Sequence, residues 1–349
     1  MSVVQRTKDW IDRGRSDKVN HIPTGITKLD EYTDGLTQST QILLMAETTV
    51  GKTAFTRDKY LLSSFEYFQS VNDISKLDLE IVDMSLEMPI EFNTAAAISR
   101  KIFLDYQKVV VPKKILSGLS DEYKPLVDDI INTYITDYNK ICSSFEEDIT
   151  PTKYHDVLME VAKKNGKFSI EGKYISECGI YTPNNPNKFI IIHLDTINLA
   201  ELDSGHTTIK STIDRISRIS VWFKKKCGFT IIILQQINSE IGTTDRKRFG
   251  VTTPKLTDGE DSKRPSKDAD IVMGLFDPCR HLTEEEKWFR GYNMEILRSW
   301  YRSAHIIKNR RGENNKAIDL KFDGAVGIFY QLPTSKEMDE RAYINATRH

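Results

Sequence analysis

A short segment near the amino terminus has the residue types and spacing of a phosphate-binding loop. The run Gly51-Lys52-Thr53 closes the segment AETTVGKT, which follows an apolar stretch at 42–45 and precedes a helical pattern beginning near Thr53. In such a P-loop, backbone N–H groups cradle phosphates, the lysine reaches the β and γ oxygens, and the threonine hydroxyl coordinates Mg²⁺. Ala46 replaces the first glycine of the pattern, so the loop must accommodate a Cβ there. We expect ATP to bind along Ala46, Glu47, Thr48, Thr49, Val50, Gly51, Lys52, Thr53 and Ala54.

Two acidic residues at the ends of apolar runs supply the remaining groups that a nucleotide hydrolase needs. Asp195 closes the run FIIIHLD, the Walker B position, where a carboxylate joins Thr53 in holding Mg²⁺. Glu87 follows the run IVDMS, at the end of a strand where α/β sheets collect ligands, and its carboxylate suits activation of water. An acid at a helix start is the alternative interpretation of Glu87. We interpret His193, inside the Asp195 run, as a residue of the sheet rather than a ligand or base.

Composition excludes several other classes of protein. The chain has 349 residues, is 39% hydrophobic and carries a formal net charge of −1, so it can bury a large core and does not bind nucleic acid by bulk positive charge. Its apolar runs are far shorter than the roughly 20 residues that cross a bilayer, and MSVVQRTKDW has no signal-peptide core. The spacing of its 4 cysteines indicates neither a zinc site nor a disulfide framework. We therefore expect a cytoplasmic protein with no membrane partner.

The elements that must position these residues indicate an α/β fold. Near-continuous apolar runs separated by helical sequence are typical of a mostly parallel sheet covered by helices on both faces. These runs lie at residues 42–45, 81–84, 190–194, 231–234 and 271–275. The clearest helix precedes the fourth run and ends at Gly228, and its periodicity predicts that Trp222 and Phe223 lie in the core.

We expect three parts: an N-terminal linker helix or arm at 1–21, one large domain at 22–333 and a polar C-terminal tail at 334–349. Residues 100–188 exceed what one crossover between strands needs. The sequence predicts helices at 121–138 and 153–164 and a hairpin at 167–175 within them. We expect this elaboration to belong to the large domain rather than to fold as a second unit.

Several motifs, in order along the chain, resemble the motor domain of DnaB-type hexameric replicative helicases. The matching segments are IPTGITKLDEYTDGL (22–36), AETTVGKTA (46–54), SLEM (85–88), the strand ending at Asp195, ILQQIN (233–238), KDADIVM (267–273) and HIIKNRRG (305–312). They bracket nearly the whole chain from Ile22 to about Tyr330, and alanine is common in this family at the Ala46 position. The resemblance implies a RecA-like P-loop fold, which this family shares with phage and mitochondrial replicative helicases.

The resemblance also implies roles for matched residues within one subunit. Glu87 in SLEM is similar to the catalytic base that polarises the attacking water, and Asp195 to the acid that positions Mg²⁺. Gln236 is similar to the sensor glutamine that links the γ-phosphate to the DNA-binding loops.

Two further residues match a basic pair that acts between subunits. Lys308 and Arg310 are similar to the pair that reaches the neighbour's nucleotide, with Arg310 as the arginine finger and Arg311 as the alternative. Such a site is complete only between subunits arranged head to tail, so monomers should be nearly inactive. The resemblance thus implies a homo-oligomer, with a hexamer as the expected form.

Two loops are expected to line the channel of such a ring, at 201–210 and 239–267. Family position favours phosphate contacts from Arg246, Lys247, Arg248, Lys263 and Arg264, whereas a solvated loop of mixed charge is the alternative. The arginine-glutamate pair usual before Gly259 is replaced by Thr257-Asp258, and we expect Lys263 and Arg264 to take over its contact. A phosphate grip gives little sequence preference and strong salt dependence.

These motifs together imply an ATP- and Mg²⁺-dependent helicase that translocates on single-stranded DNA and unwinds duplex. Only 21 residues precede Ile22, so we expect a minimal, phage-type motor without the N-terminal domain of cellular DnaB proteins, acting in a bacterial or phage-infected cytoplasm. A helix around Trp10 is expected to dock on the adjacent subunit. Primase and a helicase loader are the candidate partners. A RecA-like recombinase or regulatory ATPase without unwinding, and a nucleotide-binding replication scaffold, are the alternatives.

Overall fold

A computed structural model of the protein describes residues 19–203, 208–238, 253–283 and 286–349, together with Lys8, Ile11 and Arg246. Most of the expected N-terminal arm, including Trp10, and much of the two expected DNA loops therefore lie outside the described residues. The described strands are β1 (His21–Ile22), β2 (Leu36–Thr37), β3 (Gln41–Ala46), β4 (Asp78–Ser85), β5 (Cys142–Phe145), β6 (Gly166–Phe168), β7 (Tyr181–Pro183), β8 (Lys188–Asp195), β9 (Thr230–Gln236), β10 (Ile271–Phe276), β11 (Trp288–Phe289), β12 (Tyr292–Asn293), β13 (Tyr301–Asn309), β14 (Lys316–Asp323) and β15 (Ile328–Gln331).

Nine of these strands form one mixed sheet in the order β15-β14-β13-β10-β3-β9-β8-β4-β5. The pairs from β10 to β5 are all parallel, whereas β13, β14 and β15 add an antiparallel edge beyond β10. Every residue of β3 and of β10 is buried, which accounts for their unbroken apolar sequence, since a parallel strand is covered on both faces. The predicted α/β class with a mostly parallel sheet is confirmed.

Helices cover both faces of this sheet. They are α1 (Thr27–Thr33), α2 (Lys52–Thr56), α3 (Ser63–Val71), α4 (Ile90–Tyr106), α5 (Pro112–Ser117), α6 (Lys124–Ile130), α7 (Thr136–Ile141), α8 (Pro151–Asn165), α9 (Ile209–Cys227), α10 (Arg264–Asp268), α11 (Met294–Leu297) and α12 (Glu340–Ala346). A π-helical segment, Arg57–Leu62, joins α2 to α3, and a second, Ile131–Ile135, joins α6 to α7. Alternate residues of β3 enter two separate cores: Leu43 and Met45 pack with α8 and α9, and Leu44 packs with the helix after the P-loop.

Helix α9 shows how closely the sequence pattern matches the structure. The Thr208 side chain caps its start by accepting a hydrogen bond from the Ser211 amide, and Gly228 ends it in the left-handed conformation with φ 79°. Phe223 is fully buried, as predicted. The prediction for Trp222 is wrong: its side chain is 39% exposed, because it lies beside Arg218 on the rim of an open groove on the outer face of α9.

The expected elaboration at 100–188 packs on the rest of the domain through a buried ionic cluster. Arg100 of α4 contacts Asp58 at 2.6 Å and Glu66 at 2.5 Å, and the Tyr134 hydroxyl also donates to Glu66, at 2.9 Å. The helix predicted at 121–138 corresponds to α6, the π-helical segment and α7. The helix predicted at 153–164 corresponds to α8. The hairpin is longer than predicted, since β6 pairs with β7 rather than turning by 175.

Residues after Thr334 differ from the polar tail that the sequence predicts. Thr334 and Glu337 form a capping box at the start of a short 3₁₀ turn, and α12 follows. Ala346 is buried against a cluster that includes Tyr292 and Leu332. Tyr343 packs against the same cluster, whereas Ile344 of α12 is 39% exposed. In the parts of the chain that the structure describes, no helix is long and apolar enough to cross a bilayer.

Candidate nucleotide site and nucleic-acid interface

The predicted P-loop lies at the carboxyl end of β3, between the buried Ala46 and the first turn of α2. Thr49 and Gly51 adopt positive φ values of 62° and 108°. A Cβ on Gly51 would lie 3.2 Å from the rings of Phe322 and Phe329, so both the backbone angle and the packing favour glycine there. A loop with positive φ at these two positions, leading into a helix N-terminus, is the backbone pattern expected of a phosphate-binding loop.

Side chains from β13 and from the turn after β10 hold this loop from outside. Arg302 Nε donates to the Val50 carbonyl at 2.8 Å, and its guanidinium pairs with the buried Asp277 at 3.2 Å. Arg280 donates to the Thr48 carbonyl at 2.7 Å. No local pattern in the sequence points to these contacts, because the partners lie more than 200 residues apart along the chain.

The acidic residue inside the loop, Glu47, is paired as well. Its carboxylate lies 2.7 Å from His281 Nε2. This hydrogen bond lowers the pKa of Glu47, and the nearby charges of His281 and Arg280 lower it further against the opposing effect of burial. The Glu47 carboxylate is therefore paired with His281 of the same domain and does not place an unpaired negative charge in the loop.

The expected Mg²⁺ residues are in contact with each other. The Thr53 hydroxyl donates a 2.6 Å hydrogen bond to Asp195 Oδ2, at the end of β8. Asp195 Oδ1 is buried and has no hydrogen-bond partner among the described residues. A hydroxyl beside a carboxylate with one unsatisfied oxygen fits Mg²⁺, which binds through one or two protein oxygens together with phosphates and water. In the described part of the chain, no group of three or more His, Cys, Asp or Glu side chains could hold a metal by itself.

Lys52 and Glu87 lie close to this pair. Lys52 is only 5% exposed, and burial lowers its pKa, although the charges of Asp195, Glu87 and Glu260 act in the opposite direction. Glu87 itself is exposed, two residues beyond β4, and the register Ser85↔Asp195 places the ends of β4 and β8 side by side. Four predicted groups therefore share one edge of the sheet.

Gln236 lies at the same edge, next to the start of the P-loop. It pairs with Ala46 in the register of β3 and β9, and its backbone N–H donates to Asn198 Oδ1 at 2.9 Å. Its carbonyl accepts from the Glu260 amide at 2.9 Å, and the side chain of Gln235 holds the same segment by donating to the carbonyls of Glu260 and Ser262. The strand beside the P-loop is thus joined directly to the end of the second predicted DNA loop.

Lys308 and Arg310 lie near the amino-terminal ends of the parallel strands, at the opposite end from this site. Ile271 pairs with both Asn309 and Ile42, so the end of β13 lies beside the start of β3, about 13 Å along the strand from Ala46. Lys308 Nζ donates to the carbonyls of Ser266, Lys267 and Ala269 at 2.7–2.9 Å, and Arg310 contacts Asp270 at 3.2 Å.

Arg311, the alternative finger, shares this edge. It donates to Thr37 Oγ1 at 2.9 Å and to the Ser39 carbonyl at 3.2 Å. All three basic residues therefore lie at the end of the strands away from the P-loop of the same chain, and the choice between Arg310 and Arg311 stays open.

Among the residues predicted to contact DNA, two lie on an accessible surface of mixed charge. Lys263 and Arg264 line an open cavity of about 490 Å³ together with Lys210 and Lys267, and Asp214 and Asp261 line it too. Arg264 also pairs with Asp268 at 2.7 Å. Arg246 is placed differently from the prediction. Its side chain is 16% exposed and pairs with Asp258 at 2.9 Å, so it satisfies an acid of its own loop. Lys247 and Arg248 lie outside the described residues.

Sequence reasoning missed a polar layer beneath the site. His193 is buried in β8, as predicted for a sheet residue, but its ring nitrogens lie 2.7 Å from Asp83 and 3.0 Å from the Thr56 hydroxyl. Burial lowers the pKa of His193, yet the hydrogen bond and charge of Asp83 outweigh burial and raise it overall. The alternation of β4 and β8 could have revealed this layer, because Asp83 and Ser85 face the same side as His193 and Asp195.

Solved structures with the same architecture identify the fold as that of RecA-like ATPases. One of them, an ATPase domain, matches with a TM-score of 0.67 and 18% identity, covering 95% of this chain and 99% of that one. A DnaB-like replicative helicase, whose structure was described together with its interactions with primase, gives a TM-score of 0.66 and 19% identity over 95% of this chain and 68% of that one. A KaiC-like protein from Pyrococcus horikoshii gives 0.50 and 14% identity, covering 90% of this chain and 100% of that one.

Sequence comparison gives relatives of one kind. The chain is 25% identical over 331 residues to the replicative DNA helicase DnaB of Helicobacter pylori strain J99, covering 93% of this chain and 52% of the relative. It is 24% identical over 314 residues to DnaB of strain 26695, covering 88% and 49%. The chain thus spans about half the length of these curated relatives, and no protein-family model matches it. The resemblance to DnaB-type helicases that the motifs predicted is confirmed.

Proposed function

We propose that this chain is the ATP-hydrolysing motor of a ring-forming replicative DNA helicase that translocates on single-stranded DNA and separates the duplex ahead of it. One observation carries the proposal: Thr53 and Asp195 meet at the carboxyl ends of the parallel strands, and the basic residues expected to complete the site lie at the other end of those strands. A single subunit thus presents two half-sites. Head-to-tail association brings them together and generates a ring or an open helix.

In the proposed reaction, each residue of the first half-site has a separate task. Lys52 neutralises charge on the β and γ oxygens, and Glu87 orients the attacking water and accepts its proton. Mg²⁺, when bound at Thr53 and Asp195, supplies positive charge to the phosphates. Lys52 and Asp195 are buried, so their charges act in a medium of low polarity, where electrostatic stabilisation is stronger than in water.

The second half-site belongs to the neighbouring subunit. Arg310, with Lys308 beside it, would place its guanidinium on the transferring phosphoryl group, an interaction worth about three or more orders of magnitude in rate. Within one subunit, Arg310 is about half exposed and holds Asp270 and the Lys267 carbonyl, which fixes its position at the surface. A hexamer is the assembly that we propose.

DNA would contact the edge that carries Gln236. The segment 258–262 is hydrogen-bonded to Gln235 and Gln236, and Lys263 and Arg264 follow it directly. Loss of the γ-phosphate could therefore move Lys263 and Arg264 through the end of β9. Primase is a further proposed partner, on the strength of the DnaB-like structure described with primase. A helicase loader is a second proposed partner.

The experiment is ATP hydrolysis with and without single-stranded DNA, with particle mass followed by light scattering. Wild type should form a ring-sized particle with DNA-stimulated turnover, and both Glu87→Gln and Arg310→Ala should lose that turnover. Arg298→Ala, which removes an exposed arginine elsewhere, is the matched control and should keep it. Turnover that ignores DNA, or a monomer as active as any oligomer, would favour a regulatory ATPase or a scaffold instead.

A further inference from the structure

A chain of hydrogen bonds runs from the helix after the P-loop to the turn that carries Glu87. Arg57 Nη1 donates to Asn93 Oδ1 at 2.7 Å. Asn93 Nδ2 in turn donates to Ser85 Oγ at 2.9 Å and to the Met88 carbonyl at 3.4 Å. The two ends of the turn, Ser85 and Met88, are therefore held by one amide group.

The turn is anchored through its ends and its backbone. Ser85 Oγ donates to the Met88 carbonyl at 3.3 Å, which closes the turn, and the Leu86 amide donates to the Asp195 carbonyl at 2.6 Å, which joins it to β8. Glu87 projects from between these anchors and is exposed. The direction of its carboxylate therefore depends on the backbone of residues 85–88.

Arg57 determines which way the Asn93 amide faces. A guanidinium only donates hydrogen bonds, so its partner on Asn93 must be the carbonyl oxygen, and the NH₂ group must then face Ser85 and Met88. Arg57 and Asn93 both line a small cavity of about 80 Å³ that also touches Thr53, Asp83 and His193. Burial lowers the pKa of Arg57, and the charges of Asp83 and Asp195 act in the opposite direction.

We propose that Asn93 and Arg57 are positioning residues for Glu87, so that the helix following the P-loop sets where the attacking water is activated. Arg57 begins the π-helical segment Arg57–Leu62, five residues after Lys52, and this type of local distortion is frequent at functional sites. This relay, Arg57 to Asn93 to the turn at 85–88, joins the helix after the P-loop to the backbone that carries Glu87. Because this inference rests on the proposed ATPase function, its test must separate the two.

The test uses Asn93→Ala and Asn93→Asp in the full chain. The aspartate keeps an acceptor for Arg57 but lacks the NH₂ group that holds the turn, so both variants should lower kcat by about ten- to a hundredfold, the effect expected of a misplaced catalytic group. Affinity for a fluorescent ATP analogue should stay within about twofold, since no P-loop contact is removed. Amide hydrogen exchange at 86–88 in the nucleotide-free protein should accelerate in both.

Matched controls and a double variant make the outcome decisive. Asn139→Ala removes an exposed asparagine of the same cavity and should leave kcat and exchange unchanged. Adding Asn93→Ala to Glu87→Gln should cause no further loss, because both changes affect one group. Wild-type kcat in both Asn93 variants, with Glu87→Gln inactive, would overturn the relay alone. Wild-type turnover in Glu87→Gln would overturn the proposed base as well. If Asn93→Ala fails to fold, Asn93→Asp and Arg57→Gln provide the same comparison.

Discussion

The Thr53 hydroxyl donates a 2.6 Å hydrogen bond to Asp195 Oδ2, joining the first turn after the P-loop to a strand end 142 residues away in the chain. The second carboxylate oxygen of Asp195 is buried without a hydrogen-bond partner among the described residues. An unpaired buried oxygen is costly for stability unless something else satisfies it. The pair is therefore preorganised for a ligand that binds oxygen, at the edge where Lys52 and Glu87 also lie.

Asp195→Asn should reduce Mg²⁺-dependent ATP turnover on the order of a hundredfold or more, because it removes the charge that holds the metal but keeps the side-chain shape. The melting temperature of the nucleotide-free protein should change little, since a buried charge is gone but the buried Lys52 loses a counter-charge. Turnover against Mg²⁺ concentration and thermal unfolding check both points. Asp128→Asn, on the exposed face of α6, is the control. An unchanged Mg²⁺ dependence in Asp195→Asn would contradict the assignment.

Mixing two inactive variants should restore activity if the site is shared between subunits. Arg310→Ala subunits retain Glu87, and Glu87→Gln subunits retain Arg310, so some interfaces in a mixed ring combine both intact residues. Equal random mixing leaves about a quarter of the interfaces complete, and turnover should approach that fraction of wild type when sites act independently. Steady-state hydrolysis after subunit exchange measures it. A mixture no more active than its components would mean that Arg310 does not act in trans.

Lys263→Ala should weaken binding of single-stranded DNA about equally for all sequences. It should also reduce the slope of log affinity against log salt by about 0.7, the value for one phosphate contact on a single strand. Arg264→Ala should have a smaller effect, because Arg264 is already paired with Asp268 at 2.7 Å. Fluorescence anisotropy over a salt series measures both. Lys225→Ala, at the far end of α9, should change neither quantity, and an equal effect there would point to nonspecific attraction.

Stability should fall with acid through His305. Burial lowers its pKa to about 4, and the charge of Arg290 adds to that effect. A lowered histidine pKa means that the unfolded chain binds the proton more tightly, so the stability present above about pH 6.5 is lost as pH falls towards 4, by about 3 kcal/mol. Urea unfolding between about pH 4 and 7 measures this. His305→Gln should remove that part of the pH dependence, and an unchanged profile would refute it.

Much of the fold was predictable from sequence, because parallel strands covered on both faces leave unbroken apolar runs. The P-loop pattern was recognisable for a related reason: Gly51, Lys52 and Thr53 are neighbours, and phosphate binding fixes the spacing of these residue types in such loops. Positions 46–54 needed no knowledge of distant contacts. Asp195 and Glu87 were predicted because Asp195 ends a recognisable strand and Glu87 follows one.

Residues that act across long chain separations were not predictable. Arg302, which holds the Val50 carbonyl, and Arg57, which holds Asn93, have no local pattern that sets them apart from other charged residues. Helical periodicity predicted that Trp222 lies in the core. The pattern indicates which side of a helix faces the domain, but it does not indicate how far around the helix the neighbouring elements extend. Arg246 has a nearby acid, Asp258, whose pairing depends on how the loop closes.

The most direct measurement of the central claim is separation of a forked DNA duplex by the purified protein with ATP and Mg²⁺. A DNA motor should release the strand in an ATP-dependent manner, and Lys52→Ala and Arg310→Ala should abolish release while Arg298→Ala leaves it intact. Strand release that needs no hydrolysis, or vigorous DNA-stimulated hydrolysis by wild type with an intact fork, would contradict the assignment of this chain as a helicase motor.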